Sequence, residues 1–252
     1  MSMIWAPLAT SLPISPLFKI PFLFVNARCV HVAYTPPNPV PNANETKKYG
    51  YSHSMTWFNF VRGLAVAAKG IHWLYAVAES AVIIANRFPS EEGTHVLSTL
   101  LRRPSAATDV EFTPAWIAGC ALLVTGAAIR LACQRELGRW FTWEMSVKKD
   151  QELITTGPYS VVRHPSYTGM IFITAGAILC QFGPGSWMRA AGWTELSGVK
   201  VGLLFWFGYT LTIPGMMIFR TVTEDRVLRE SFPVQWDSYA KRTPYRLIPY
   251  VF

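Results

Sequence analysis

Three stretches of this chain contain no Asp, Glu, Lys or Arg: residues 112–129, 165–188 and 201–219. Each matches the roughly 20 apolar residues that a helix needs to cross a hydrocarbon core about 30 Å thick. The rest of the composition agrees. Of 252 residues, 51% are hydrophobic and 15% are charged, against roughly 25% charged in an average soluble domain. So few charges cannot cover the surface of a soluble globule of this length, and the apolar content rules out a disordered chain. The formal net charge is +8, which on so apolar a chain points to loops lying on anionic lipid; no nucleic-acid partner is expected.

The expected spans are Pro114–Cys133, Pro165–Phe182 and Val201–Phe219. Pro114 and Pro165 stand where a helix would begin, a position that tolerates proline because its N–H has no partner there. Pro214 falls inside the last span and predicts a kink. Two weaker spans are expected. Residues 63–86 carry Lys69, His72 and Glu79, which suggests a helix with one side on a protein interior or wet cavity. Residues 1–27 hold a single charge, Lys19, and four prolines (Pro7, Pro13, Pro16, Pro21), consistent with a kinked span or an interfacial segment. No basic region precedes that stretch, so a cleaved signal peptide is not expected. Thr35–Asn44 reads as a Pro/Asn-rich linker. The fold class is therefore all-α, a polytopic membrane bundle of about five helices.

With five spans, one side of the membrane carries 16 Lys and Arg and the other 5. The positive-inside rule puts the 130–164 loop and the C-terminal tail together in the cytosol. Cys29, Cys120, Cys133 and Cys180 lie in or beside apolar runs without metal-ligand spacing. They read as reduced thiols, and no metal site is expected. Gly169 and Gly176 lie seven apart on one helix face and read as close-packing positions.

The chemistry-bearing residues gather in two segments. The first, RWFTWEMSVKKDQELITTGPYSVVRHPSYTG (139–169), ends with Arg163 and His164 at the start of a span. There the unpaired N–H groups and the positive dipole end favour an anion; a helix boundary with a snorkelling arginine is the plainer alternative. The second, RTVTEDRVLRESFPVQWDSYAKRTPYRLIPYVF (220–252), sets Arg220 and Glu224 one helical turn apart on one face. On spacing alone this is equally a salt bridge at the membrane edge.

Together these segments resemble a known family. GPYSVVRHPSYTG (157–169) is similar to the GPYxxxRHPxYxG signature of integral-membrane methyltransferases. Arg220, Glu224-Asp225, Leu228, Phe232, Tyr239 and Ile248-Pro249 follow their C-terminal pattern, and IRLACQRELGRWFTWE (129–144) resembles the preceding helix and its end. The match is to the isoprenylcysteine carboxyl methyltransferase family, whose eukaryotic members lie in the endoplasmic reticulum, and it covers roughly 114–252. It implies a methyltransferase core over 114–252 behind N-terminal spans and a linker over 1–113.

The resemblance further implies S-adenosylmethionine (AdoMet) held by loop and tail. The implied contacts are Glu144, Gln151, Glu152, Leu153, Ile154, Tyr159, His164, Pro165, Ser166, Tyr167 and Glu224, with Arg220 on the substrate. Family members often have Gln at position 144, His at 151 and Glu at 225. The implied acceptor is the C-terminal carboxylate of a prenylated cysteine. In that reading Arg220 holds the carboxylate, and Glu224 orients Arg220 or meets the donor's positive charge. Tyr159 and Tyr167 pack on the donor, and His164 bonds its carboxylate. Parts of the architecture are shared with phospholipid N-methyltransferases, which need a base to deprotonate an ammonium, and with sterol reductases, which need NADPH. A non-catalytic membrane scaffold is the remaining alternative.

Overall fold

The computed structural model describes residues 10–41, 55–144, 146, 148 and 150–252, with side chains in the second helix described from Arg62 onward. Residues 1–9 of the first apolar stretch and 42–44 of the expected linker lie outside the described residues. The described residues are helical, with no strand among them. In chain order the helices are α1 (Lys19–Ala33), α2 (Met55–Arg87), α3 (Glu91–Leu100), α4 (Pro114–Leu137), α5 (Pro165–Phe182), α6 (Trp187–Ala190), α7 (Ser197–Ser231) and α8 (Pro233–Arg242).

Three described stretches are long and apolar enough to cross a membrane: Pro114–Trp140, Pro165–Ala190 and Ser197–Ser231. These contain the three principal expected spans. Pro114 and Pro165 are the first residues of α4 and α5. Pro214 sits inside α7, which continues to Ser231. The weaker span 63–86 lies within α2, 33 residues long. The described part of the first apolar stretch is not one continuous helix. A 3-10 turn over Pro16–Phe18 leads into α1, which has 15 residues, roughly 22 Å at 1.5 Å per residue and short of a full bilayer core. Pro21 lies in the first turn of α1, where no intrahelical N–H is lost. The 87–113 connection carries α3, started by Ser90, whose hydroxyl accepts from Gly93 N at 2.9 Å.

Only 6% of the most apolar window of α7 is buried, against 61% for Pro165–Ala190. Leu204, Phe205 and Phe219 are 71%, 77% and 80% exposed. Side chains so large and apolar require hydrocarbon around α7, which ties the fold to a membrane.

The described residues pack as two compact units, each built from three stretches. The first comprises residues 1–31, 67–124 and 172–211. At its centre Lys19 and Glu79, both fully buried, form an ion pair at 2.5 Å. Lys19 also donates to Gly185 O at 2.9 Å and lies 4.5 Å from the centre of the Trp116 ring, while Glu79 accepts from Trp187 N at 3.0 Å. The charge on α2 that suggested a polar interior thus has its partner in the only charge of the first stretch. Gly119 and Gly176 let two backbones meet: a Cβ at position 176 would lie 2.5 Å from Gly119 O. Asn26 donates to the Cys120 thiol at 3.0 Å. All four cysteines are free; Cys120, Cys133 and Cys180 are buried and Cys29 is half-buried.

The second unit comprises residues 32–66, 125–171 and 212–252. It brings together the lower part of α4, the loop after it, the start of α5, the end of α7 and the tail. Here Gly169 is the close-packing position: a Cβ there would meet Gly126 O at 2.7 Å and Arg130 Cγ at 3.0 Å. Both halves of the polar chemistry expected from the sequence fall in this unit.

Candidate active site

The GPYS segment forms a 3-10 turn over Gly157–Ser160. Gly157 has φ +57°, a left-handed conformation that costs a side-chain-bearing residue steric strain. A Cβ there would also press on the Glu136 carboxylate at 3.0 Å, and Glu136 accepts a short hydrogen bond from the Thr156 hydroxyl. The turn delivers Tyr159 into a buried cluster with Cys133 and Phe141. Burial, with Cys133 and Glu224 nearby, pushes the Tyr159 phenol well above its usual pKa. Tyr159 therefore stays neutral and acts as a packing surface.

After four intervening residues the chain enters α5 at Pro165. The His164 carbonyl accepts from Tyr167 N at 3.0 Å and Thr168 N at 3.3 Å, closing the first turn around Pro165. The end of the tail runs alongside. Arg163 N donates to Tyr245 O at 2.9 Å, His164 N to Arg246 O at 2.8 Å, and the Thr168 hydroxyl to Leu247 O at 2.6 Å. Tyr239 of α8 donates to Tyr159 O at 2.8 Å. Backbone and hydroxyl bonds thus register the tail against the RHPSY turn.

On α7 the side chains one turn apart complete the constellation. Arg220 Nε lies 3.7 Å from Glu224 Oε2, and both side chains are about three-quarters buried. Tyr167 donates to the same Oε2 at 2.5 Å. His164 Nδ1 lies 3.9 Å from it. The His164 and Tyr167 rings stack, with centroids 5.5 Å apart and planes 8° from parallel. Arg220 also sits 5.8 Å from the centre of the Tyr167 ring and donates to Trp143 O at 2.5 Å. The imidazole at 164 and the guanidinium at 220 therefore share one carboxylate.

Asp225, which the family pattern marked only as a departure, is the more heavily paired acid. It holds His164 Nε2 at 2.8 Å, Arg246 Nε at 2.9 Å and Arg163 at 3.2 Å. A shorter aspartate at 225 reaches two arginines and an imidazole because the tail and the RHP turn close on it from two sides. Sequence reading had no signal for Arg246 or Arg163 as its partners; their proximity is set by the path of the tail.

The loop residues are placed as follows. Glu144 is buried, bonded to Arg62 at 2.6 Å, with its carbonyl accepting from the Thr142 hydroxyl. The Gln151 side-chain amide oxygen Oε1 accepts from Lys148 N at 3.0 Å. Glu152 is exposed, Leu153 is half-buried, and Ile154 packs against the Cys133–Phe141–Tyr159 cluster. Pro165 and Ser166 are buried at the start of α5. Ser166 accepts from Arg130 through both its hydroxyl, at 3.0 Å, and its carbonyl, at 3.3 Å. The direct contacts thus join Trp143, His164, Tyr167, Arg220 and Glu224. Glu144 adjoins them through Trp143, and residues 151–153 lie along the loop that leads to Tyr159.

A carboxylate flanked by stacked aromatic rings suits a small organic cation such as a sulfonium. A buried guanidinium with an unmatched N–H, Arg130 Nε, suits a carboxylate. The donor set present therefore fits AdoMet, which carries both groups.

Comparison with known proteins agrees with the expected family. The family model described as isoprenylcysteine carboxyl methyltransferase (ICMT) matches residues 118–188. A protein-S-isoprenylcysteine O-methyltransferase B of Arabidopsis thaliana is 23% identical over 188 residues, 71% of this chain and 82% of that protein. A nickel-cobalt-cadmium resistance protein of Alcaligenes xylosoxydans xylosoxydans is 28% identical over 51% of this chain and 50% of its own length. A mouse delta(14)-sterol reductase is 28% identical over 40% of this chain, but that is 20% of the reductase. No solved structure matches the chain.

Proposed function

From this kinship with the isoprenylcysteine carboxyl methyltransferase family, we propose that the chain is a membrane enzyme that methylates the C-terminal carboxylate of a prenylated cysteine, with AdoMet as donor. The observation that carries the reading is the carboxylate of Glu224, 3.7 Å from Arg220 and 3.9 Å from His164. It joins a tail residue to the RHPSY turn where donor and acceptor would have to meet.

AdoMet supplies an activated methyl on a sulfonium. A C-terminal carboxylate, with a pKa of about 3.5, is already ionised at neutral pH and needs no general base. The chain's task is alignment and removal of water from the attacking oxygen. Arg220 is held by Trp143 O and by Glu224, so its guanidinium presents a fixed face to an incoming carboxylate. Glu224 takes up part of that positive charge, so the acceptor oxygen is positioned while keeping its nucleophilicity. Tyr167 fixes Glu224 by its hydrogen bond, and the stacked His164 ring braces Tyr167. Tyr159, kept neutral by burial, lines the donor side with Ser166, Pro165 and the 151–154 stretch, and Glu144 borders it.

The prenyl group partitions into hydrocarbon while AdoMet is cytosolic, so the site belongs at the inner interface. The exposed apolar side chains of α7 give a greasy path toward Arg220. We place the protein in the endoplasmic reticulum membrane, with the 130–164 loop and tail facing the cytosol.

The test is purified protein with methyl-labelled AdoMet and either a prenylcysteine peptide or phosphatidylethanolamine. Label is expected in the prenylcysteine as a base-labile ester. Label in the phospholipid would move the assignment to N-methylation, and NADPH binding without AdoMet binding would move it to reductase chemistry.

A further inference from the structure

Arg130 lies on α4 inside a membrane-crossing stretch and is 2% exposed. Of its five N–H groups, NH1 serves the Ser166 hydroxyl and carbonyl and NH2 serves Ala33 O at 3.0 Å. Its Nε is enclosed with no acceptor. The guanidinium sits 5.8 Å from the centre of the Phe141 ring, and Cys133, Tyr34, Tyr167 and Tyr159 are titratable groups close enough to interact with it. Among the described residues every ion pair involves some other cation. Arg130 is a buried full charge surrounded by phenols, a thiol and carbonyl dipoles.

Buried charges in proteins are paired or bind something that pairs them. The fold also makes room for this one. Gly169 has no Cβ, and a Cβ there would lie 3.0 Å from Arg130 Cγ. The position of the charge is telling as well, since two of its hydrogen bonds go to Ser166, next to Tyr167 and on the donor side of the proposed site. His164, the residue expected from the resemblance to bond the donor's carboxylate, already stands between Asp225 at 2.8 Å and Glu224 at 3.9 Å. A third carboxylate beside those two would be repelled.

We infer that Arg130 is the binding residue for the amino-acid carboxylate of the methyl donor, its Nε side completing a charge-assisted pair. The assignment rests on the AdoMet reading of the site and deepens it: the donor is recognised at two poles, sulfonium toward Glu224 and carboxylate toward Arg130. A nucleoside thioether without the carboxylate loses one pole and keeps the other.

The test compares binding of S-adenosylhomocysteine and decarboxylated S-adenosylhomocysteine by calorimetry on the full chain in detergent. Wild type is expected to prefer the carboxylated ligand by roughly tenfold or more, the scale of a charge-assisted hydrogen bond. Arg130→Gln should erase that preference by weakening the carboxylated ligand alone, while its affinity for the decarboxylated ligand stays within about twofold and reports an intact fold. If Arg130→Gln does not fold, the same comparison in Arg130→Lys, which keeps the charge with fewer donors, must show a smaller preference than wild type. Equal affinities in wild type, or equal loss of both ligands in a folded variant, overturns the assignment while the methyltransferase reading stands. Binding of neither ligand by wild type brings down that reading, and this assignment with it.

Discussion

His164 Nε2 lies 2.8 Å from Asp225 Oδ1, a contact that fastens the entry to α5 to the end of α7 across 61 positions of sequence. Because Arg163 and Arg246 converge on the same aspartate, this carboxylate is the clasp of the second unit. Glu224, the next residue back, is left to face the proposed reaction space.

That division predicts different consequences for the two acids. Asp225→Ala leaves a buried histidine and two arginines without their anion, and breaking such a pair costs about 3–5 kcal/mol. We expect a large fall in thermal midpoint and rapid proteolysis of the tail after α8, measured in detergent. A variant with a native midpoint and a protected tail would refute the clasp.

Arg220→Ala should do the opposite. Its described partners include a carbonyl and a partly exposed carboxylate, neither of them fully buried, and we expect the fold to tolerate the loss. Turnover with a prenylcysteine peptide should fall by on the order of a hundredfold, since misplacing a reacting group by an ångström costs about that much. Near-normal turnover would remove Arg220 from the reaction.

Tyr167→Phe keeps the ring that stacks on His164 and loses the bond to Glu224. A hydrogen bond to a charged group contributes roughly 1.5–3 kcal/mol. Steady-state kinetics should show a drop in kcat of about ten- to a hundredfold with little change in melting. A drop in melting alone would make the tyrosine merely structural.

In the first unit, Lys19→Met and Glu79→Leu each strand a fully buried charge, at a cost of about 3–5 kcal/mol. The double variant should recover most of that loss, because two apolar side chains need no partner. Denaturation of the two single variants and the double variant forms the cycle; additive losses would show that the two charges are not coupled.

Gly169→Ala and Gly176→Ala both force a methyl against backbone oxygen, at 2.7 Å and 2.5 Å respectively. Overpacking of this kind costs about 1–3 kcal/mol. Only Gly169→Ala should also weaken nucleoside binding, because its methyl presses on Arg130; equal binding loss in both variants would contradict that.

Much of this architecture follows from interactions short in sequence. A run without charge has nowhere stable to lie except in lipid, so Pro114–Cys133, Pro165–Phe182 and Val201–Phe219 were legible from hydropathy, with their helix starts set by proline. The Arg220–Glu224 pair followed from the helical repeat. The gathering of chemistry in two polar segments followed from the absence of polar groups between them. Those inferences need only the rise of a helix and the cost of burying charge.

What the linear order could not show is which distant groups meet. Lys19 finds Glu79, Glu144 finds Arg62, and Asp225 finds Arg163, His164 and Arg246. Each pairing joins residues on separate elements, and the attraction between them becomes strong only after packing has brought the charged groups themselves together, since it falls with distance and is screened in water. The same holds for Arg130. In the sequence it is one cation near the end of an apolar run; in the fold it is a buried charge beside Ser166, and that difference arises from how the chain closes around it.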